Sequence, residues 1–391
     1  MSHDGQREMT PEEEARGFNP LPTRRIWRDR ILPRTIIPLF WLAWLALLPA
    51  RLRGRSRTLD RPRRLAIESG IIGWTHVYFE ELLASARERY GANAVVQQTI
   101  DRDAPYLPQF RANIDRDQPT HVVLDVRTPR QTWIHSLREA FFTARHLLRR
   151  NITPIVVLTD AFYRRQRWHA AVLTAHSGVV VTFGHRSIVR PIFPHMRILG
   201  PLPMPISVSR QQWLEAERAK RPRTPDVRVQ FIGSVYPPRD RFLAVVGSAL
   251  KERGIELRIN GDKAGTSNED YWRTLVNADV IVTTTMQGPP RPYMDWIWVQ
   301  QAVFRYAEST AAGAALVAAP VDGGFSYFVK DEDFLEFHGV HEAIECVTRL
   351  VDDPQGRTAL ADHGHATSRR LSTEFAFWDA IDQALASPAS T

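Results

Sequence analysis

Short uncharged runs alternate with longer stretches of helical period through most of this chain. Residues 65–67, 94–100, 121–126, 155–159 and 179–182 read as strands, the second of them the more polar. Between them, 75–90 places Phe79, Leu82, Leu83 and Ala86 on one helical face, and 134–149 has the same period. A second series has strands at 229–232, 256–260, 278–284 and 314–319, with helices at 242–253, 271–277 and 300–312. Repeated β-α alternation predicts parallel sheets, here two of them. Proline crowds positions 191, 194, 201, 203 and 205, and 215–228 is charged and carries Pro222 and Pro225, so a hinge is expected there. The division that follows is a tail over 1–20, a basic and apolar segment over 21–64 and a Rossmann-like domain over 65–206. A linker at 207–228, a second Rossmann-like domain at 229–370 and a terminal helix with its tail at 371–391 complete it. At 391 residues the chain has room for two cores.

Charge changes the picture at the N-terminal end. Between Arg24 and Arg64 stand twelve arginines against Asp29 and Asp60, which exceeds the formal net charge of +8 and leaves the remainder slightly acidic. Inside that basic stretch, residues 36–50 are uncharged, carry Trp41 and Trp44, and are bracketed by Pro38 and Pro49. The run is short of the ~20 apolar residues that span a bilayer, and the acidic start differs from a signal peptide. The pattern predicts an interfacial anchor over 24–64 with arginines on anionic headgroups, its alternative being an arm packed on the protein's own first domain. Cys346 is the single cysteine, which excludes an internal disulfide and points to a reducing, cytoplasmic compartment with the protein peripheral on the membrane's inner face. No nucleic-acid recognition motif accompanies the basic run.

Chemistry-bearing residues gather at strand ends. Asp125 and Asp160 follow strands of the first series, where chemistry sits in such sheets, or they cap the next helices. Gly73 and His76 stand at the turn and helix start after the first strand. Asp101 and Asp103 have the spacing of a metal-binding D-x-D, but their strand is polar and Asp115/Asp117 and Asp331/Asp333 repeat the spacing. His363 and His365 lack acidic or sulfur partners at ligand spacing. Gly233-Ser234 ends the first strand of the second series and leads to Arg239 and Arg241. Lys263, one of four lysines, lies in a glycine-containing loop. Arg305 and Glu308 are one helical step apart on a helix that Gly313 stops before the uncharged run 314–319.

The run Arg305-x-x-Glu308-x-x-Ala311-Ala312-Gly313 with its apolar strand, the stretch FIGSVYPPRDRF over 231–242, and the helix order after Gly324 resemble GT-B glycosyltransferases of the group-1, retaining type, closest to their spore-maturation-type branch. The resemblance covers 229–385 by motif and 65–206 by pattern. It implies an α/β fold of two Rossmann-like domains facing across a cleft, with the basic and apolar extension in front. It implies an enzyme that moves a sugar from a nucleotide-sugar to a glycan, lipid or protein acceptor, with no cofactor and no metal. Donor contacts would come from Gly233, Ser234, Arg239, Arg241, Lys263, Arg305, Glu308, Ser309 and Thr310, and acceptor contacts from Gly73 and His76, with His76, Asp125 and Asp160 as catalytic candidates. Glu308 is expected as an exposed cleft carboxylate that accepts from the two ribose hydroxyls; the plain alternative is a surface ion pair with Arg305. One departure stands out: Gln300 occupies the place of a second glutamate in group-1 enzymes, so a non-catalytic nucleotide-sugar or glycan-binding protein is the competing reading.

Overall fold

A computed structural model describes residues 28–55, 62–69, 76–101, 104–125, 133–159, 164–183, 196–221, 226–235, 239–261, 267–284, 304–321 and 325–387. Strands β1 (Leu65–Ser69), β2 (Val95–Thr99), β3 (His121–Asp125), β4 (Thr153–Leu158), β5 (Val179–Thr182) and β6 (Ile198–Leu199) form a parallel sheet ordered β2-β1-β3-β4-β5-β6. Strands β7 (Val229–Ile232), β8 (Leu257–Asn260), β9 (Val280–Thr283), β10 (Ala315–Ala318) and β11 (Leu335–Glu336) form a second, ordered β11-β10-β9-β7-β8. Apart from Glu68 and Asp125 near the carboxyl ends of β1 and β3, the inner strands carry no acidic or basic residue besides His121, because helices cover both their faces.

Each sheet reverses direction once. In the first, helix α2 (His76–Tyr90) packs its Phe79 and Leu82 with Leu65, Ile67 and Val123. Helices α3 (Tyr106–Asp117), α4 (Trp133–Arg149) and α5 (Arg164–Leu173) pack on the other face, with Ala66, Val122 and Leu124. The chain therefore leaves β1 on one face and β3 on the other, and a crevice opens between their carboxyl ends. The second sheet repeats this. Phe242 and Val246 of α7 (Arg239–Lys251) cover Val229 and Phe231, whereas Trp272 of α8 (Asn268–Val276) and Ala311 of α9 (Arg305–Ala311) lie with Ile281 and Leu316. Its crevice falls between β7 and β9. The two carboxyl edges meet at aromatic rings: Phe304, just before α9, stacks on Tyr78 of α2 at 5.0 Å and stands edge-on to Phe183, just past β5, at 5.0 Å.

Two stretches differ from their expected form. Residues 207–228 are not an extended linker, since α6 (Val208–Lys220) occupies most of them. Ser207 caps it, Gln211 and Leu214 are buried, and the prolines flank the helix instead of interrupting it. Glu81 of α2 fixes its start, accepting from the Ser207 backbone and hydroxyl at 3.0 and 2.8 Å and from Arg210 Nε at 2.8 Å. Helix α6 is then held to α11 (Pro354–Thr373) through Gln211, which donates to Ser368 Oγ at 2.8 Å. The other stretch is α1 (Arg28–Arg55), which runs through Pro38 and Pro49 as one helix and packs Phe40, Leu47 and Ala50 into the core beside α4 and α5. Gly54 lies so close to α4 that an added Cβ would meet Leu148 O at 1.9 Å.

After α10 (Val340–Asp352) and α11, helix α12 (Ala376–Ala386) returns to the first sheet. Its Trp378 donates to Ser85 Oγ at 3.0 Å, and its Asp382 accepts from Arg63 at 2.5 Å and from Tyr90 at 3.0 Å.

Candidate functional site

The site begins at the carboxyl end of β7. Gly233 has φ 141°, a backbone conformation open to glycine, and the Arg305 guanidinium lies 3.7 Å from where its Cβ would stand. Arg305 is placed there by α9. Ala307, Ala311 and Ala312 are small and buried, which lets α9 approach α11, and Gly313 at φ 72° ends the helix. Arg305 Nε donates to Ile232 O at 2.8 Å, so the side chain spans from its own helix to the last residue of β7.

Arg305 Nη1 also pairs with Glu308 Oε2 and donates to the Tyr271 hydroxyl, which in turn donates to the same Glu308 oxygen at 2.7 Å. Glu308 is 2% exposed. The exposure that both sequence readings gave this residue is thereby corrected: the carboxylate is buried, and so is its pairing with Arg305. Tyr271 and the short α9 cover it, and desolvation makes its ion pair stronger and its loss costlier than at a surface. Beside it, Ser309 Oγ is fully buried with no hydrogen-bond partner among the described residues.

Arg239 bridges the second crevice. Its Nη1 donates to Ser234 O at 2.8 Å beyond β7 and its Nη2 to Thr284 O at 2.9 Å beyond β9. The side chain is 7% exposed, so it clamps two backbone segments and brings positive charge instead of a free phosphate-gripping fork. Arg241 is exposed on the first turn of α7, and Ser234 is half-buried. Thr310 does not reach the crevice: its hydroxyl donates to Tyr306 O at 2.6 Å, and its methyl meets Gly364 of α11. His365 is likewise occupied, at Ala311 O and Glu215.

Asp125 ends β3 and is 7% exposed, at the first sheet's crevice. His76 begins α2, with its side chain outside the described residues, as are Gly73, Asp103, Asp160, Lys263 and Gln300. Asp101 is exposed, and its backbone N–H donates to Gln109 Oε1 at 2.8 Å. Sequence reasoning missed Tyr271, whose role depends on a neighbour 37 positions away.

Residues 210–376 match the model of the glycosyl transferase-like family, a span that holds Gly233, Arg239, Tyr271, Arg305 and Glu308. No curated protein matches the chain. The fold is similar to that of sucrose-phosphate synthase from Thermosynechococcus elongatus, with a TM-score of 0.55 at 11% identity over 82% of this chain and 98% of that one. It is similar also to Anabaena Alr3699/HepE, solved with UDP and glucose, with a TM-score of 0.51 at 10% identity over 82% of this chain and 100% of that one. Two parallel sheets with facing carboxyl edges and these neighbours agree on the fold, two Rossmann-like domains in the GT-B arrangement, whose second half is similar to the glycosyl transferase-like family.

Proposed function

We propose that the protein transfers a sugar from a nucleotide-sugar to an acceptor hydroxyl between the two sheets, with retention and without a required metal. The observation that carries this is the buried Arg305, Tyr271 and Glu308 cluster at the second crevice, inside the family-matched segment. A ribose diol would replace Tyr271 and Arg305 as donors to the Glu308 carboxylate. Arg305, already beside Gly233, would then face the diphosphate, and Arg239 would add fixed positive charge behind it. Such preorganised donors oppose the negative charge that grows on the departing nucleotide. The neighbour solved with UDP and glucose makes UDP-sugars the first donors to try. Incubation with a panel of UDP- and GDP-sugars should give slow hydrolysis that persists in EDTA. Loss of turnover in EDTA with recovery on manganese would return weight to Asp101 and Asp103 as a metal site. Nucleotide binding with no hydrolysis of any donor would favour the non-catalytic binding protein instead.

We place the protein on an anionic membrane surface through α1. Among the described residues no helix is long and apolar enough to cross a membrane. The outward side of α1, however, exposes Trp41, Leu42, Leu45 and Leu52. Arginines surround its lower end: Arg145, slight burial, and then Arg53 and Arg111 hold Arg149 below the ordinary arginine range, the mark of crowded positive charge. Trp and Leu for the lipid boundary with arginines for headgroups is an interfacial combination. Deleting α1 would uncover the core that Phe40 and Leu47 close, so surface changes are the cleaner test. Trp41→Ser with Leu42→Ser and Leu45→Ser should abolish co-sedimentation with phosphatidylglycerol vesicles and leave the melting temperature unchanged. Undiminished sedimentation would remove α1 as the anchor.

A further inference from the structure

Three helices of the first domain bring arginines to one place. On α4, Arg145 and Arg149 are four residues apart and share a face. Gly54, near the end of α1, is pressed against Leu148 of α4, which delivers Arg53 beside Arg149. On α3, Arg111 precedes Asp115 by one turn, and Asp115 is tied to the same end of α4 by Arg150 at 2.6 Å and by His146 at 3.3 Å. Arg53, Arg111 and Arg149 are exposed, and Arg145 is half-buried. Arg149 feels the three others: Arg145 most, then Arg53 and Arg111 after a small share from burial, and together they make its proton easier to lose. His146 beside them is pushed below the ordinary histidine range by burial, which Asp115 opposes and Arg150 and Arg111 reinforce. Like charges four apart destabilise a helix, so the crowding has a cost in the free protein. Helix dipoles account for Arg53 and Arg149, each in the last turn of its own helix. They do not account for Arg111 in the middle of α3, nor for three helices converging on one spot.

Resting on the membrane reading above, we infer that Arg53, Arg111, Arg145 and Arg149 form a binding site for a lipid headgroup with two or more negative charges, a phosphomonoester or a pair of phosphates. Guanidinium groups suit it, because each can pair with two phosphate oxygens through parallel N–H donors, and several of them meet several charges at one point. Position favours a lipid over a soluble phosphate. Leu42 stands eleven residues before Arg53 on α1, three turns away and so on the same side of the helix, and Leu45 and Leu52 lie beside that line. All three leucines are exposed. The acyl chains of a lipid held by the arginines therefore meet an apolar strip continuous with the site. Such an anchor selects for charge per headgroup as well as for the mean charge of the surface.

The test uses the full chain, its Arg145→Gln/Arg149→Gln double variant and Arg111→Gln, with phosphatidylcholine vesicles carrying either phosphatidic acid or phosphatidylglycerol at equal total negative charge. Wild type should co-sediment roughly tenfold more tightly with the phosphatidic acid vesicles. The double variant should bind the two vesicles equally, and Arg111→Gln should lose part of the preference. The melting temperature of the double variant should equal or exceed that of wild type, since the change relieves crowding. Glycerol 3-phosphate, the same headgroup without acyl chains, should raise the wild-type melting temperature at millimolar concentration and leave that of the double variant unmoved. A wild type that sediments with neither vesicle would overturn the membrane reading and the lipid site with it. Equal binding of wild type to both vesicles would overturn the site alone. Glycerol 3-phosphate that binds as tightly as the vesicles would overturn the assignment to a lipid. A preference retained in the double variant would overturn the cluster as its source; should that variant melt early, an undiminished preference in Arg111→Gln would do the same.

Discussion

Glu308→Gln is expected to weaken UDP or GDP binding by roughly ten- to a hundredfold, the about 1.5–3 kcal/mol of hydrogen bonds to a charged acceptor. Its burial adds a second effect that an exposed residue would not show. Glu308 partners Arg305 in a desolvated cluster, so neutralising it takes a charged partner from a partly buried guanidinium, at a stability cost of about 1–3 kcal/mol. Two losses together do not separate ribose binding from structure, and Tyr271→Phe does. That change removes one donor from Glu308 Oε2 and leaves the carboxylate intact. If the carboxylate exists to hold the ribose, Tyr271→Phe should keep or improve nucleotide affinity while losing some stability. Calorimetric titration of all three proteins beside their thermal melts reads both quantities. Equal affinity in wild type and Glu308→Gln would leave the cluster as a buried ion pair only.

Trp378→Ala should be the most destabilising single change at the domain junction. The indole is fully buried between Tyr90 and Phe377 and donates to Ser85 on α2. Truncating a buried Trp costs about 3–5 kcal/mol. The melting temperature should drop by roughly 5–10 °C. Because α12 belongs to the second half of the chain and Ser85 to the first, the loss should also split the melt into two transitions. The residues proposed for the donor are elsewhere, so UDP and GDP affinity at 20 °C should stay within about twofold. Trp378→Phe keeps most of the burial and should recover most of the stability. A single, unshifted transition in Trp378→Ala would mean that α12 does not hold the two halves together.

Much of this architecture is legible in the residue pattern for a specific reason. Parallel strands covered on both faces must be largely apolar, so 122–124, 179–182, 229–232, 280–283 and 315–318 declare themselves. The pairing of Arg305 with Glu308 is local, one helical turn, and is legible too. What escapes is whatever depends on meeting across the fold. Tyr271 is an ordinary helix residue until Glu308 arrives beside it, and Arg239 is a turn arginine until β7 and β9 are neighbours and their carbonyls stand on either side of it. For 36–50 an apolar run has two addresses, lipid or core, and no local rule divides its residues between them. The helix assigns Phe40 and Leu47 to the core and Trp41, Leu42 and Leu45 to the outside.

Phe304 is joined by a single peptide bond to Arg305, and its ring lies flat on Tyr78 of the opposite domain. Prising the cleft apart at this edge must pull one ring off the other. The force is delivered to the backbone of the very residue whose guanidinium reaches Ile232 and Gly233. Cleft width and the reach of Arg305 are thus mechanically geared to each other, with the aromatic stack as the tooth: a protein gaping at this edge is one whose arginine has been tugged at its root.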